Sequence, residues 1–264
     1  GTEATPGRGE QDRQDIADCL EQRREGFAGL IAAWSKLDTN TVVRATQAAV
    51  LLPTVESCVD ELRLSQGIPA PMGQKAEIDA IETQLDLARA LDFTGRFDEA
   101  LQQSMSLLPR VEALGWRPLE AETRFLVASA QLHAGKPEAA RDEGVRAYYA
   151  AVAGGDERRA MLIASKQGTF EGDRLANPAR GREWCQLALM HLEHLRLGGT
   201  YYEADILANL SGVELRAGKL EEAERLGQRS LEIYRATLGP AHLQTAAAIN
   251  NQGAIERAMG HYDE

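Results

Sequence analysis

The stretch Gly218-Lys219-Leu220-Glu221-Glu222-Ala223 decides the fold, because near copies of it recur along the chain. The copies are GRFDEA at 95–100, GKPEAA at 135–140 and GHYDE at 260–264. Their glycines are 40, 83 and 42 residues apart, and the gap of 83 residues corresponds to two periods. A fixed period of this length indicates an array of structural repeats in which each repeat is one supersecondary unit.

Each copy carries the residues of a turn between two helices. Glycine accepts the left-handed backbone conformation that commonly ends a helix. Acidic residues such as Glu221 and Glu222 follow and favour the positive N-terminal end of the next helix. The small residues Ala100, Ala140 and Ala223 then allow two antiparallel helices to approach closely.

Apolar residues flank the turn at helical spacing. The helix before it has the stripe Ile206, Leu207, Leu210, Val213 and Ala217, and the helix after it has Leu220, Ala223, Leu226, Leu231 and Tyr234. One helix pair cannot bury its apolar face alone, so neighbouring pairs must stack. We expect helices at 75–94, 97–113, 118–134, 137–153, 156–174, 178–197, 201–217, 220–237 and 242–259.

The third repeat departs from the pattern. It has no glycine turn, and we place its turn near Ala176-Asn177-Pro178, where Asn and Pro are suitable turn residues. Gly181 occupies the position at which the other repeats have alanine.

Composition limits the classes of partner. The 264 residues carry a formal net charge of −11, which repels a phosphate backbone and argues against nucleic acid. Either the charge is an ordinary solvated surface or it favours basic partner segments. No apolar run approaches the ~20 residues that cross a bilayer, so we expect no membrane contact by this segment itself.

The connection Leu238-Gly239-Pro240-Ala241-His242 points to one type of repeat. Together with the period of 40 to 42 residues, the chain resembles tetratricopeptide repeats of the kinesin-light-chain type. The residues that match this type are Leu238, Gly239, Pro240, His242, Asn250, Asn251, Gly253, Gly260, Tyr262 and Glu264. The resemblance implies an all-α fold, a right-handed α-α superhelix that binds a protein or peptide and needs no cofactor.

The N-terminal region has a narrower resemblance. The segments GEQ at 9–11, CLEQRR at 19–24, LLP at 51–53 and CVD at 58–60 resemble the C-terminal region of the large tetratricopeptide-containing serine/threonine kinases of myxobacteria. This implies the partner-binding arm of a bacterial kinase, which is cytoplasmic or, behind a membrane span, extracytoplasmic. The alternatives are a free-standing scaffold of the same fold and an enzyme with a site in its groove.

Motifs of a kinase domain itself do not occur in the sequence. There is no glycine-rich phosphate loop after a strand, no His-Arg-Asp and no Asp-Phe-Gly. We therefore expect no catalytic residues in this chain. The last residues, Gly260 to Glu264, stop where a helix is expected to begin, so we expect a fragment of a longer protein.

Four regions are expected along the chain. These are a disordered tail at 1–10, an N-terminal helical hairpin at 11–64, a linker at 65–73 and about four and a half repeats at 74–264. Cys19 and Cys58 lie 19.5 residues either side of 38.5, within the turn Asp38–Thr41, so an antiparallel hairpin brings them level. They are either a disulfide or two buried thiols. The extracytoplasmic location known in the kinase family favours the disulfide.

Two further sets of residues are candidates for ligand binding. His191 and His194 are three apart on a helix and form half of a metal site or, more simply, surface or cap residues. In tetratricopeptide folds the first helix of each repeat lines the binding groove. The groove residues predicted on that basis are Asn209, Arg216, Asn250, Asn251 and Arg257. The asparagines either bind a peptide backbone or bridge neighbouring helices.

Overall fold

The structure is a computed structural model that describes residues 8–34, 58 and 70–261. Within those residues the chain is helical and has no strand, which confirms the predicted all-α fold. The α-helices are α1 (Arg8–Trp34), α2 (Lys75–Phe93), α3 (Phe97–Leu114), α4 (Arg117–His133), α5 (Pro137–Ala153), α6 (Glu157–Thr169), α7 (Pro178–His194), α8 (Tyr201–Arg216), α9 (Leu220–Thr237) and α10 (Leu243–Met259). A π-helical turn, Phe170–Arg174, extends α6.

The chain divides into two compact units, Gly1–Ala134 and Gly135–Glu264. In the first unit, α2, α3 and α4 pack on one another through apolar side chains at helical spacing. This core contains Ile78, Ile81, Leu85, Ala88, Leu107, Val111, Leu119 and Leu126. The helix α1 packs on α2, where Leu30 and Ala90 are buried beside Trp34 and Phe93.

The N-terminal helix begins at Arg8, before the predicted start at Gln11. Cys19 in α1 and Cys58 form a disulfide with their Cα atoms 5.6 Å apart, and both side chains are buried. The expected turn at Asp38–Thr41, the helix that follows it and Pro53 lie outside the described residues. The third cysteine, Cys185, is a free thiol, and its burial raises its pKa to about 12.

In the second unit, α6 to α10 stack as successive antiparallel pairs. The core of its C-terminal part contains Cys185, Ala204, Leu207, Leu210, Val213, Leu226, Ile233, Tyr234 and Ala248. The predicted small residues Ala140 and Ala223 are fully buried, in agreement with their place between packed helices.

The turns at the repeat glycines have the predicted geometry. Gly95, Gly135, Gly218 and Gly260 all have φ between 74° and 86°. At Gly218 the backbone N–H of Lys219 donates to the carbonyl of Glu214 at 3.0 Å and that of Gly218 to Leu215 at 3.1 Å. These bonds satisfy carbonyls at the end of α8 that have no partner inside the helix.

The third repeat turns without glycine, as its sequence predicts. Ala176 takes the left-handed conformation with φ 51°, and the side chain of Asn177 caps α7 by accepting from the backbone N–H of Arg180 at 3.3 Å. Gly181 is buried against the preceding helix. A β-carbon at Gly181 would lie 2.8 Å from the Gly168 carbonyl oxygen and 2.8 Å from the Gly172 Cα, so these two backbones touch directly.

Candidate partner-binding surface

The first helices of three successive repeats, α6, α8 and α10, form one surface of the second unit, which we call the first-helix face. α6 contacts α8, and α8 contacts α10. The burial pattern of α6 repeats on α8 with an offset of 43 residues, and the sequence period relates α8 to α10 by 42 residues, so that Leu162, Asp205 and Ala247 are equivalent positions. Side chains at equivalent positions therefore lie side by side across the face.

The centre of this face is polar and links α6 to α8. The amide nitrogen of Asn209 donates to the hydroxyl of Ser165 at 2.8 Å and lies 3.5 Å from a carboxylate oxygen of Asp205. Lys166 forms an ion pair with the same carboxylate at 3.4 Å. Asn209 is thus half-buried and bridges neighbouring helices, which is the second of its two predicted roles.

Arg216 lies at the C-terminal end of α8 and pairs with Asp173 of the π-helical turn. The closest nitrogen and oxygen atoms are 2.5 Å apart, yet 64% of the Arg216 side chain is exposed. An exposed ion pair of this kind contributes little to the free energy of unfolding, so Arg216 can leave Asp173 for another carboxylate at little cost.

The remaining predicted residues lie on α10 and are exposed. The side chains of Asn250, Asn251 and Arg257 make no hydrogen bond or ion pair with any other residue that the structure describes. Asn251 is equivalent to Asn209, but its helix has no further first helix packed beside it among the described residues. Among the described residues these three side chains are exposed.

Three exposed apolar side chains on this face were missed by the sequence reasoning. Leu162 of α6, Tyr201 of α8 and Leu243 of α10 are 37%, 40% and 47% exposed. The ring of Tyr201 lies 4.0 Å from that of Tyr202, and burial of its hydroxyl raises the pKa of Tyr201. The sequence contained a signal for two of these residues, because Tyr201 and Leu243 are both apolar and lie one repeat of 42 residues apart.

The two equivalent glutamates Glu214 and Glu256 have structural partners. Arg182 of α7 forms a two-pronged ion pair with Glu214, whose side chain is 4% exposed, with the longer contact at 2.6 Å. His261 bonds to Glu256 at 3.0 Å, and this contact is the main reason that the pKa of Glu256 is lowered. Neither carboxylate is free to bind a partner.

The histidine pair on α7 bonds to a carboxylate. His191 and His194 contact the same oxygen of Glu157, with their Nδ1 atoms at 3.1 Å and 2.5 Å, and Nε2 of His191 lies 3.0 Å from the Tyr148 hydroxyl. Burial acts to raise the pKa of Glu157, but the hydrogen bonds and charges of the two histidines outweigh it and lower the pKa. No group of three metal-ligating side chains occurs in the described part of the chain.

A buried aspartate in the first unit bears on the enzyme alternative. Asp92 is 2% exposed and bonds to Nδ1 of His133 at 2.8 Å, as in a catalytic dyad. The hydroxyl of Ser129, however, donates to the other carboxylate oxygen at 2.8 Å rather than to the histidine. The serine is therefore not placed as a nucleophile, and the cluster ties α2 to α4.

Comparison with known proteins supports the assignment of the fold. The tetratricopeptide repeat family matches residues 202–264. The chain is similar to the crystal structure of BtubC (BKLC) from P. vanneervenii, with a TM-score of 0.60 and 18% identity, over 85% of this chain and 86% of that chain. Curated protein sequences yield no significant match.

These observations agree on a helical repeat of the tetratricopeptide type. No helix in the described ranges is long and apolar enough to cross a bilayer. Tetratricopeptide repeats are typically non-catalytic and mediate contacts between proteins. The fold of this chain is accordingly a helical repeat solenoid of the tetratricopeptide type.

Proposed function

We propose that the chain binds an extended segment of a partner protein across the first-helix face. The observation that carries the proposal is the set of exposed polar side chains on α10, Asn250, Asn251 and Arg257, which have no partner among the described residues. Because the helix backbone that carries these side chains is already rigid, less conformational entropy is lost when they bind a peptide.

Each group on the face has a chemical role in this proposal. An asparagine amide both donates and accepts, so Asn250 and Asn251 can pair with the N–H and C=O groups of an extended backbone. Arg257 and Arg216 can bind a carboxylate of the partner through two parallel hydrogen bonds. The exposed rings and aliphatic chains of Tyr201 and Leu243 provide a seat for an apolar side chain.

We further propose that the module is the partner-binding arm of a bacterial serine/threonine kinase. The support is the resemblance of the N-terminal segments at 9–11, 19–24, 51–53 and 58–60 to that kinase family. The Cys19–Cys58 disulfide favours an oxidising, extracytoplasmic compartment. The alternative is a free-standing scaffold, and the gene sequence upstream of residue 1 decides between them, since only the kinase arm requires a kinase domain there.

The binding proposal is tested with peptides selected from a random displayed library against the purified chain. We expect the double change Asn250→Ala with Asn251→Ala to weaken a selected peptide about tenfold, or ~1.4 kcal/mol, without altering the melting temperature. The matched control is Gln228→Ala with Arg229→Ala, two exposed positions on α9 that lie off this face. Equal losses in the two double variants would place the binding site elsewhere.

A further inference from the structure

A carboxylate at the centre of the first-helix face is only loosely paired. The Oδ2 atom of Asp205 lies 3.4 Å from the Lys166 amine and 3.5 Å from the Asn209 amide. Its Oδ1 atom lies 3.5 Å from the Tyr234 hydroxyl. A charged hydrogen bond to a carboxylate is roughly 2.7–2.9 Å long, so none of these donors bonds Asp205 strongly.

The nearby donors can give up Asp205 at little cost. The Lys166 side chain is 46% exposed, so its ammonium can turn to water. Asn209 keeps a shorter bond, 2.8 Å, to the hydroxyl of Ser165. Glu214, by contrast, is 4% exposed and is held by an arginine. Asp205 is 32% exposed, and no guanidinium contacts it in the described part of the chain. It can therefore accept a stronger donor.

The residues beside Asp205 suit the stem of a long cationic side chain. Leu162 of α6 and Ala247 of α10 occupy the equivalent positions on the two neighbouring helices, at offsets of 43 and 42 residues. Leu162 is 37% exposed and presents an aliphatic surface next to the carboxylate. Ala247 is exposed and presents only a methyl group, which leaves room for an incoming side chain. A long basic side chain can lay its methylene groups on such a surface while its charged end reaches the carboxylate.

Arginine fits this carboxylate better than lysine. Its planar guanidinium can donate two parallel hydrogen bonds to the two carboxylate oxygens, whereas an ammonium binds as a single point charge. Lys166 pairs with Oδ2 of Asp205, and Oδ1 has only the distant Tyr234 hydroxyl among the described residues. A guanidinium that binds both oxygens can therefore displace Lys166.

The neighbouring turn of α8 fixes the position of a second residue of the bound segment. Tyr201 precedes Asp205 by one helical turn, about 6 Å along the helix axis, and is 40% exposed. In an extended segment, side chains two residues apart point to the same side and are about 7 Å apart. A segment that runs along α8 with an apolar side chain on Tyr201 therefore places a residue two positions away over Asp205.

We propose that Asp205 selects partner segments in which an arginine stands two residues from an apolar side chain. This inference rests on the proposed function, since it assigns the chemistry of the partner at the same face. The formal net charge of −11 favours the approach of a basic segment. Asp205 is then the residue that determines specificity, whereas Asn250 and Asn251 bind the backbone of any extended segment.

The test uses a random peptide library displayed on phage, selected in parallel against the full chain and against its Asp205→Asn variant. Peptides selected by the parent chain should be enriched in arginine two residues from an apolar residue, and those selected by the variant should not. One parent-selected peptide is then synthesised with the arginine and with glutamine in its place. In fluorescence anisotropy, Asp205→Asn should weaken the arginine form at least about tenfold and change the glutamine form less than about twofold.

A second variant separates recognition by Asp205 from a structural role. Lys166→Ala removes the competing ammonium and should tighten binding of the arginine form several-fold, whereas an aspartate that only shapes the face would give no gain. Glu232→Gln is the matched control, because it neutralises another carboxylate with an ion pair at 3.4 Å, on α9 and off this face. It is expected to leave binding unchanged. Circular dichroism melts of each variant report whether the chain stays folded.

The two proposals fail separately in this test. Peptides that bind without enrichment of arginine, and that lose affinity with Asn250→Ala and Asn251→Ala but not with Asp205→Asn, would keep the peptide site and overturn the role of Asp205. Equal losses of the arginine and glutamine forms on Asp205→Asn would overturn it as well, because no contact to the arginine would then be involved. If neither chain selects a peptide, the proposed function fails and this inference fails with it.

Discussion

The third repeat (α6 and α7) and the fourth repeat (α8 and α9) build the same helical hairpin by different means. In the fourth, the turn has Gly218 with φ 74°, and the small residue that contacts the first helix is Ala223. In the third, the turn has Ala176 with φ 51°, and glycine stands instead inside the interface, at Gly181. The third repeat therefore uses glycine for close packing, whereas the fourth uses it for the turn.

The difference follows from the end of α6. The π-helical turn at Phe170–Arg174 adds a residue to the helical turn and brings the backbone at Gly172 against α7. No side chain fits between the two helices at that point. Asn177 and Pro178 then start α7 through the side-chain cap and the restricted φ of proline, so a glycine turn is not needed.

The largest effect is expected at the buried glycine. Gly181→Ala forces a methyl group against backbone atoms at 2.8 Å and should lower the free energy of unfolding by about 3 kcal/mol. The matched change in the fourth repeat, Ala223→Gly, should cost only about 1 kcal/mol. Guanidinium denaturation followed by circular dichroism measures both. Equal losses would mean that the two interfaces are equally close.

The second largest effect is expected at the ion pair between Arg182 of the third repeat and Glu214 of the fourth. Glu214→Ala leaves Arg182 without its carboxylate in a partly buried site and should cost about 2 kcal/mol. Arg216→Ala, which removes the exposed pair with Asp173, should cost about 0.5 kcal/mol. The same denaturation assay compares them. Similar values would show that burial of Glu214 does not strengthen its pair.

The left-handed turn residues of the two repeats, Ala176 and Gly218, can each be replaced by the residue that the other repeat has there. Ala176→Gly removes the strain of a left-handed alanine and should stabilise the chain by about 0.5 kcal/mol. Gly218→Ala introduces that strain and should destabilise it by about 1 kcal/mol. Thermal melts of the two single variants measure both effects. A loss of stability in Ala176→Gly would show that alanine is not strained in this turn.

The smallest effect concerns pH in the third repeat. Burial raises the pKa of Glu171, although Arg180 and Arg141 partly oppose this. A raised folded-state pKa means that the protonated carboxyl favours folding below the unfolded-state pKa, and this advantage is lost as pH rises through the folded-state value. Glu171→Gln cannot titrate, so its stability relative to the parent chain should increase as pH rises from about 4 to 7. Urea denaturation at several pH values measures the difference, and a difference that does not change with pH would contradict the assignment.

Local chemistry in the sequence determined the helices and their turns. The residues GKLEEA at 218–223 contain a glycine for the left-handed end of one helix and acidic residues for the start of the next, and both effects act within a few residues. The positions of the copies along the chain then determined how many helix pairs stack. Even the turn of the third repeat followed from local chemistry, because Asn177 and Pro178 start a helix without glycine.

The roles of individual side chains on the surface depend on distances between helices, which the sequence does not contain. Asn209 and Asn251 are equivalent by spacing, yet Asn209 donates to Ser165 across the interface whereas Asn251 is exposed. Gly181 was visible as a departure from alanine, but the contact with Gly168 and Gly172 arises only when the π-helical turn packs against α7. Backbone propensity is a local property, whereas burial and partner choice are set by which helix lies alongside, and only the tertiary structure decided them.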